Sequence, residues 1–131
     1  MNIALRYYSR SGNTKKVADI ISEEIAIRPY TIETPIDENI DKLFIGGAIY
    51  AGNFSKKLRN YIDTIPSDLV KKVYIFSTSG FNKNSNYKMK EEFMKKGIEV
   101  SEIDFFCKGR KVNEKEEINQ MKEFAKKAME E

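Results

Sequence analysis

Short apolar runs alternate with amphipathic stretches along almost the whole of this chain. Asn2 to Tyr8, Leu43 to Ile49, Val73 to Phe76 and Ile98 to Phe106 read as strands, and the first two are apolar enough to lie buried in a sheet. After the first, Val17, Ile20, Ile21 and Ile25 recur at helical spacing, so Thr14 to about Ile27 forms an amphipathic helix that Pro29 ends. Tyr30 to Glu33 alternates as a short edge strand does. Ser55 caps a helix carrying Leu58, Tyr61, Ile62 and Ile65, which Pro66 closes. Tyr87, Met89, Phe93 and Met94 mark a third helix, terminated by Gly97, and Ile118, Met121, Phe124, Ala125 and Ala128 mark a fourth. Such alternation implies a parallel sheet with helices on both faces, with one helix weak or missing between the second and third strands.

In sheets of this kind the ligand sits beyond the carboxyl ends of the strands, where strand order reverses. Three stretches leave those ends with small residues: Ser9-Arg10-Ser11-Gly12-Asn13-Thr14, Tyr50-Ala51-Gly52-Asn53-Phe54, and Ser77 to Asn84. They should converge on one site. The first offers hydroxyls and backbone amides with almost no bulk at a strand-to-helix turn, which suits a bound phosphate. The same residue types also make ordinary turns and caps. What favours an anion is the next turn, where Lys15 and Lys16 stand in place of the acidic residues that a helix start prefers.

Composition removes other chemistries. The chain has no histidine and one cysteine, Cys107, which excludes Ser-His and Cys-His nucleophile pairs, histidine zinc or haem ligation, cysteine metal sites and an internal disulfide. At 131 residues it is long enough for one domain, residues 1–131, around a single core. No stretch approaches the roughly 20 apolar residues of a membrane span, and the chain enters its first strand without a basic leader, so cytoplasm is the expected compartment. The net charge of +3 says little by itself.

Several phosphate-binding classes fail on residues. There is no run of three glycines after the first strand, no glycine-lysine-serine/threonine P-loop, no acidic pair at Tyr7-Tyr8, and no cysteine before Arg10. Tyr8-Ser9-Arg10-Ser11-Gly12-Asn13-Thr14 instead resembles the phosphate loop of flavodoxins, which holds the phosphate of FMN. The resemblance runs the length of the chain, because Gly46-Gly47-Ala48-Ile49-Tyr50-Ala51-Gly52 falls at the family's second flavin loop and Thr78-Ser79-Gly80-Phe81 at its third. It implies an α/β flavodoxin-like three-layer sandwich, a five-stranded parallel sheet of order 2-1-3-4-5 with helices on both faces.

Carried over by position, the resemblance implies that Ser9, Ser11 and Thr14 give hydroxyls to the phosphate while Arg10, Gly12 and Asn13 give mainly backbone amides. It places Ala48, Ile49, Tyr50, Ala51, Gly52 and Asn53 on one side of the flavin ring and Thr78, Ser79, Gly80, Phe81 and Asn82 on the other. Tyr50 and Phe81 would cover the two ring faces, and Ala51-Gly52 would present a carbonyl to flavin N5 on reduction. No catalytic side chain and no metal ligand is expected, since the cofactor carries the chemistry. The implied function is electron transfer to a redox partner protein, either a reductase or an acceptor.

One feature departs from the acidic carriers of that family. Helices that follow parallel strands start at the same sheet edge, so Arg10, Lys15, Lys16, Lys56, Lys57, Lys83, Lys108, Arg110 and Lys111 should rim the site and favour anionic partners or substrates. Residues Ile45 to Phe54 with Lys57-Leu58 and Tyr61-Ile62 are similar to the middle segment of flavodoxin-like protoporphyrinogen oxidases. This implies an alternative, an FMN oxidoreductase acting on an anionic small molecule such as a tetrapyrrole (haem or porphyrinogen). Nucleic acid is not expected as a partner, because no aromatic-basic platform accompanies the charges. Cys107 reads as a small core residue close to the site.

Overall fold

The computed structural model describes residues 1–81 and 84–131. The elements in chain order are β1 (Ile3–Tyr8), α1 (Asn13–Glu24), β2 (Pro29–Thr31), β3 (Ile40–Tyr50), β4 (Asn53–Phe54), α2 (Lys56–Thr64), β5 (Val70–Ser79), α3 (Asn86–Lys95), β6 (Glu99–Val100), β7 (Phe105–Lys108), a 3₁₀ turn (Gly109–Lys111) and α4 (Lys115–Glu130). They build a sheet ordered β2-β1-β3-β5-β6, with β7 also paired to β5 and β4 folded back antiparallel on β3.

Counted as one edge strand, β6 and β7 complete the parallel order 2-1-3-4-5 that the resemblance implies. The expected strand Ile98–Phe106 is split because the backbone turns off the ladder after Ser101. There the Ser101 amide donates to Val73 O at 2.9 Å and its hydroxyl accepts from the Ile103 amide at 3.0 Å.

The central strands are apolar throughout, yet consecutive side chains serve different layers, as the period of two requires. Phe44, Tyr74 and Phe76 turn to α1 and α4, where Val17, Ile21, Met121 and Phe124 cover them. Leu43, Ile45, Val73 and Ile75 turn to α2 and α3, against Leu58, Ile62, Met89 and Phe93. Phe44 stacks on Tyr74 at 5.1 Å between centroids and receives the edge of Phe124 at 5.8 Å. Each such side chain contributes about 1.5–3 kcal/mol by leaving water.

Several boundaries differ from expectation. The first helix stops at Glu24, short of the expected Ile27. Ala26 takes φ 56°, the Ala26 amide donates to Glu23 O and the Ile27 amide to Ser22 O at 3.0 Å, so a left-handed C-terminal cap ends the helix and Pro29 begins β2. Ser77, Thr78 and Ser79, expected in a loop, are buried residues of β5 held by pairing to β3 on one side and β7 on the other. The expected loop Tyr50–Phe54 is a tight hairpin. Tyr87 and Met94 lie 51% and 63% exposed, so Met89 and Phe93 anchor α3 without them. Ser55 caps α2 as expected, its hydroxyl accepting from the Leu58 amide at 3.1 Å.

No helix occurs between β2 and β3. The connector is held flat by the buried Arg6, whose Nε donates to Thr34 O at 2.9 Å and Nη2 to Pro35 O at 3.2 Å. Tyr61 on α2 donates its hydroxyl to the same Thr34 carbonyl at 2.6 Å.

Candidate functional site

β1 and β3 are neighbours, but β1 continues to β2 on one side while β3 continues to β5 on the other. This reversal opens a crevice at the carboxyl ends. The registers bring the three loops there: Tyr8 lies opposite Gly47, Ile49 opposite Ser79, and Ser79 opposite Lys108. Tyr50 therefore follows directly, and Phe81 two residues on, from the paired positions Ile49 and Ser79 of adjacent strands. They are 42% and 69% exposed, so neither is a core aromatic.

The first loop turns on Gly12, whose φ of 95° disfavours any side chain. A Cβ built on Gly12 would meet no atom within 4 Å, which leaves open space over the start of α1. No side chain caps that helix and its first turn holds no acidic residue, so its leading amides face that space. Ser11 and Arg10 are exposed beside it. Ser9 is turned inward, its hydroxyl accepting from the Gly12 amide at 3.1 Å.

Thr14 and Asn13 brace the loop from below. The buried Thr14 and Thr78 hydroxyls share a hydrogen bond of 2.9 Å, tying α1 to the end of β5. Asn13 packs its amide so closely on Gly109 that a Cβ there would lie 2.4 Å from Nδ2. These contacts fix the direction of the helix axis, and with it the amides.

The second loop is built from the hairpin. Tyr50 pairs with Asn53, leaving Ala51 (φ 49°) and Gly52 (φ 80°) as the two central residues, both left-handed as a type I′ turn demands. Ala51 is the strained member, since a Cβ costs about 1–2 kcal/mol in that conformation. Gly46 and Gly47, read as part of this loop, are strand residues; Phe76 and Leu58 occupy the space their side chains would need. Ala48 and Ile49 belong to the same strand, and Asn53 opens β4.

In the third stretch, Thr78 and Ser79 end β5 and Gly80 is exposed. Ser79 Oγ accepts from the Phe81 amide at 3.2 Å. Asn82 and Lys83 lie outside the described residues.

Two residues that sequence reasoning missed hold these loops. Asn86, at the start of α3, accepts from the Ser77 hydroxyl and donates to Phe105 O at 3.0 Å and Asp104 Oδ2 at 3.2 Å, so the third loop is anchored to β5 and β7. Arg59 on α2 lies 4.8 Å from the Phe54 ring centroid, pairs with Glu92 on α3, and reaches Asn53 Oδ1 at 3.4 Å. Neither contact follows a helical or strand period, so no pattern announces it.

Charge around the crevice is positive. Among the described residues, Lys15 is the one rim cation with a carboxylate partner, Asp19 at 2.7 Å. Arg10 sits 5.4 Å over the Tyr50 ring and Lys57 5.8 Å over the Tyr8 ring. Burial, and then the neighbouring Arg110 and Lys111, hold Lys108 below its ordinary pKa. Cys107 is buried, with its thiol pushed up to about 12 by desolvation and, secondarily, by Glu117, so it behaves as a core residue and not as a nucleophile.

On the β2 side of the Ser9–Gly12 loop lies a cavity of about 890 Å³ between the end of β2 and α2. None of the residues expected around the flavin ring lines it.

A sequence model of the family described as Flavodoxin domain matches residues 4–115. Among solved structures, a flavodoxin from the domain Archaea superposes with a TM-score of 0.83 at 15% identity over 99% of this chain and 97% of its own. Oxidised Flavodoxin 1 from Bacillus cereus gives 0.80 at 16% identity over 99% and 98%, and the apo form of an NADH:FMN oxidoreductase (EMOB) gives 0.77 at 14% over 98% and 88%. At these identities the likeness is one of fold. Compared by sequence with curated proteins, the chain matches none.

Proposed function

The chain belongs to the flavodoxin domain family, whose cofactor is FMN, and we propose that it acts as an electron carrier between partner proteins through FMN held at this crevice. The observation that carries the proposal is the uncapped start of α1 beneath the open side of Gly12, flanked by two exposed aromatics, Tyr50 at the end of β3 and Phe81 just beyond β5. These residues fit the group: a phosphate dianion would take the free amides and the Ser11 hydroxyl, and relieve the repulsion of Lys15 and Lys16 from the helix start. When bound, FMN supplies one- and two-electron redox chemistry that no side chain here can supply.

The protein's own part is to bind and shield. Ser9, Ser11 and the Asn13 amide would hold the phosphate around the turn that Gly12 makes, Thr14 ties that loop to β5, and Tyr50 and Phe81 would exclude water from the ring faces. The Ala51-Gly52 peptide, with Ala51 left-handed and exposed, would be free to turn its carbonyl toward a bound flavin ring. Few carboxylates stand at the rim, so the partner surface it favours is acidic.

Titration of FMN into the purified protein tests this, read by quenching of flavin fluorescence and by shifts in its visible bands. Saturable binding in the micromolar range is expected, and its absence would refute the proposal.

A second reading is favoured by the rim cations and the cavity beside them: an FMN oxidoreductase that docks an anionic small molecule, such as a tetrapyrrole, by its carboxylates. Reduced protein offered haem or a porphyrinogen in parallel with a protein acceptor separates the two. Turnover of the small molecule, lost when Lys56 and Lys57 become Glu, selects the second reading; transfer to proteins alone selects the first.

A further inference from the structure

Four of the six large hydrophobic side chains exposed among the described residues gather on one flank, Tyr50 and Phe81 at the crevice and Tyr87 and Met94 on α3. A bound flavin accounts for the first two but not for the others. Tyr87 and Met94 are seven positions apart, so they share one face of the helix, about 10 Å from each other along its axis. Met89 and Phe93 are fully buried and hold the inner face of α3 against the sheet, so the Tyr87–Met94 stripe is surplus to the core.

Cations border this stripe. Lys88 reaches the flavin-side hairpin, its Nζ lying 3.9 Å from the place that a Cβ on Gly52 would take. Lys56 and Lys57, both exposed, open α2 directly after the hairpin. Among the described residues, none of the three pairs with a carboxylate, because those nearby are engaged elsewhere: Glu92 with Arg59 and Lys95, and Asp104 with Lys90. Glu91, exposed between Tyr87 and Met94, is the one opposing charge on α3 that stays unpaired among the described residues.

An aromatic and a methionine side chain with charge of mainly one sign around them have the make-up of a protein-docking surface. The sign selects the occupant. A second copy of this chain would set Lys88 and its neighbours against cations of their own kind, whereas an acidic surface would meet them favourably.

We propose that the outer face of α3 from Tyr87 to Met94, bordered by Lys56, Lys57 and Lys88, docks an acidic redox protein beside the crevice. That the partner is a redox protein rests on the carrier function; the docking surface rests on the exposed stripe and its charge alone.

An acidic ferredoxin serves as the probe and a basic cytochrome c as its control, each titrated into FMN-loaded protein and followed by backbone amide shifts. Expected are saturating shifts from Tyr87 to Met94 and at the hairpin with the ferredoxin and none with the cytochrome. Raising the salt from about 0.01 M to about 0.1 M, which shortens the screening length from about 30 to about 10 Å, should weaken the ferredoxin at least about fivefold. Tyr87→Ser should weaken it by about fivefold or more with FMN affinity unchanged. Lys88→Gln should weaken it by about two- to fivefold, and Lys88→Arg should restore it.

Absence of shifts on α3, equal binding of the cytochrome, or either weakening variant binding as tightly as the parent overturns the proposal. So does a different occupant: vesicles of phosphatidylglycerol that shift the same amides more strongly than the ferredoxin, or self-association that Tyr87→Ser abolishes. Should the protein bind no FMN, the carrier function falls, and the same amide map on the FMN-free protein still decides the surface.

Discussion

Arg59→Met isolates what holds the flavin-side hairpin. The methionine keeps an unbranched stem of similar reach over Phe54 but removes the charge that meets Glu92 and the ring. The pair is partly exposed, 36% for Arg59 and 16% for Glu92, so its loss costs about 0.5–1 kcal/mol. The cation over Phe54 adds about 0.5–1 kcal/mol. The 3.4 Å contact to Asn53 Oδ1 is too long to add a comparable amount. Together these give a destabilisation of about 1–2 kcal/mol.

Urea unfolding followed by circular dichroism measures it, with the midpoint lowered and the slope unchanged. Glu92→Gln and the double variant complete a cycle in which the coupling should be about 0.5–1 kcal/mol. The hairpin then frays before the rest of the sheet, and FMN, which needs it ordered, should bind more weakly by up to about tenfold. A loss below about 0.3 kcal/mol, or FMN affinity unchanged, would refute the assignment of Arg59 as the hairpin's brace.

Further outcomes follow from single observations. Ala51→Asn should raise stability by about 0.5–1 kcal/mol in urea unfolding, because asparagine tolerates the left-handed conformation at φ 49° better than alanine does. Cys107, buried with its thiol pushed up to about 12, should resist iodoacetamide at pH 8 in the folded protein and react only in denaturant. Glu131 has its carboxyl held below the usual carboxylate range, chiefly by its hydrogen bond to Lys72; a lowered folded pKa stabilises above the ordinary value and is lost as pH falls through the folded one. Lys72→Gln should therefore flatten the fall of stability below about pH 4.5, measured as urea midpoints across pH.

The alternation of strands and helices was legible because it rests on local patterns, whereas the strand order came from the family resemblance. Apolar runs at Leu43 to Ile49 and Val73 to Phe76, a cap at Ser55 and a stop at Gly97 each act within a few residues, and each appears where the sequence places it. The crevice was legible for the same reason, since three small-residue stretches follow three parallel strands. What escaped was carried by side chains meeting across the chain. Thr14 finds Thr78, 64 positions away, and Arg59 finds Glu92, 33 positions away. No periodicity marks such pairs. Ser77 to Ser79 misled because serine and threonine are read as loop residues, whereas here pairing on both sides keeps them in the strand.

Glycine shows the limit most sharply. Gly12, Gly46 and Gly109 are one letter in the sequence and three different demands in the fold. At Gly46 a Cβ would lie 2.3 Å from the Phe76 ring and 2.5 Å from the Phe76 carbonyl, so glycine there is a packing requirement unrelated to any ligand. At Gly109 the space is taken by Asn13, and glycine secures the seat of the first loop. At Gly12, as at Gly97, φ is left-handed and nothing lies within 4 Å, but Gly97 ends a helix, whereas Gly12 stands at the start of one whose first amides no side chain caps. Uncapped amides that face unfilled space at a helix start leave room there for an anion that is not protein.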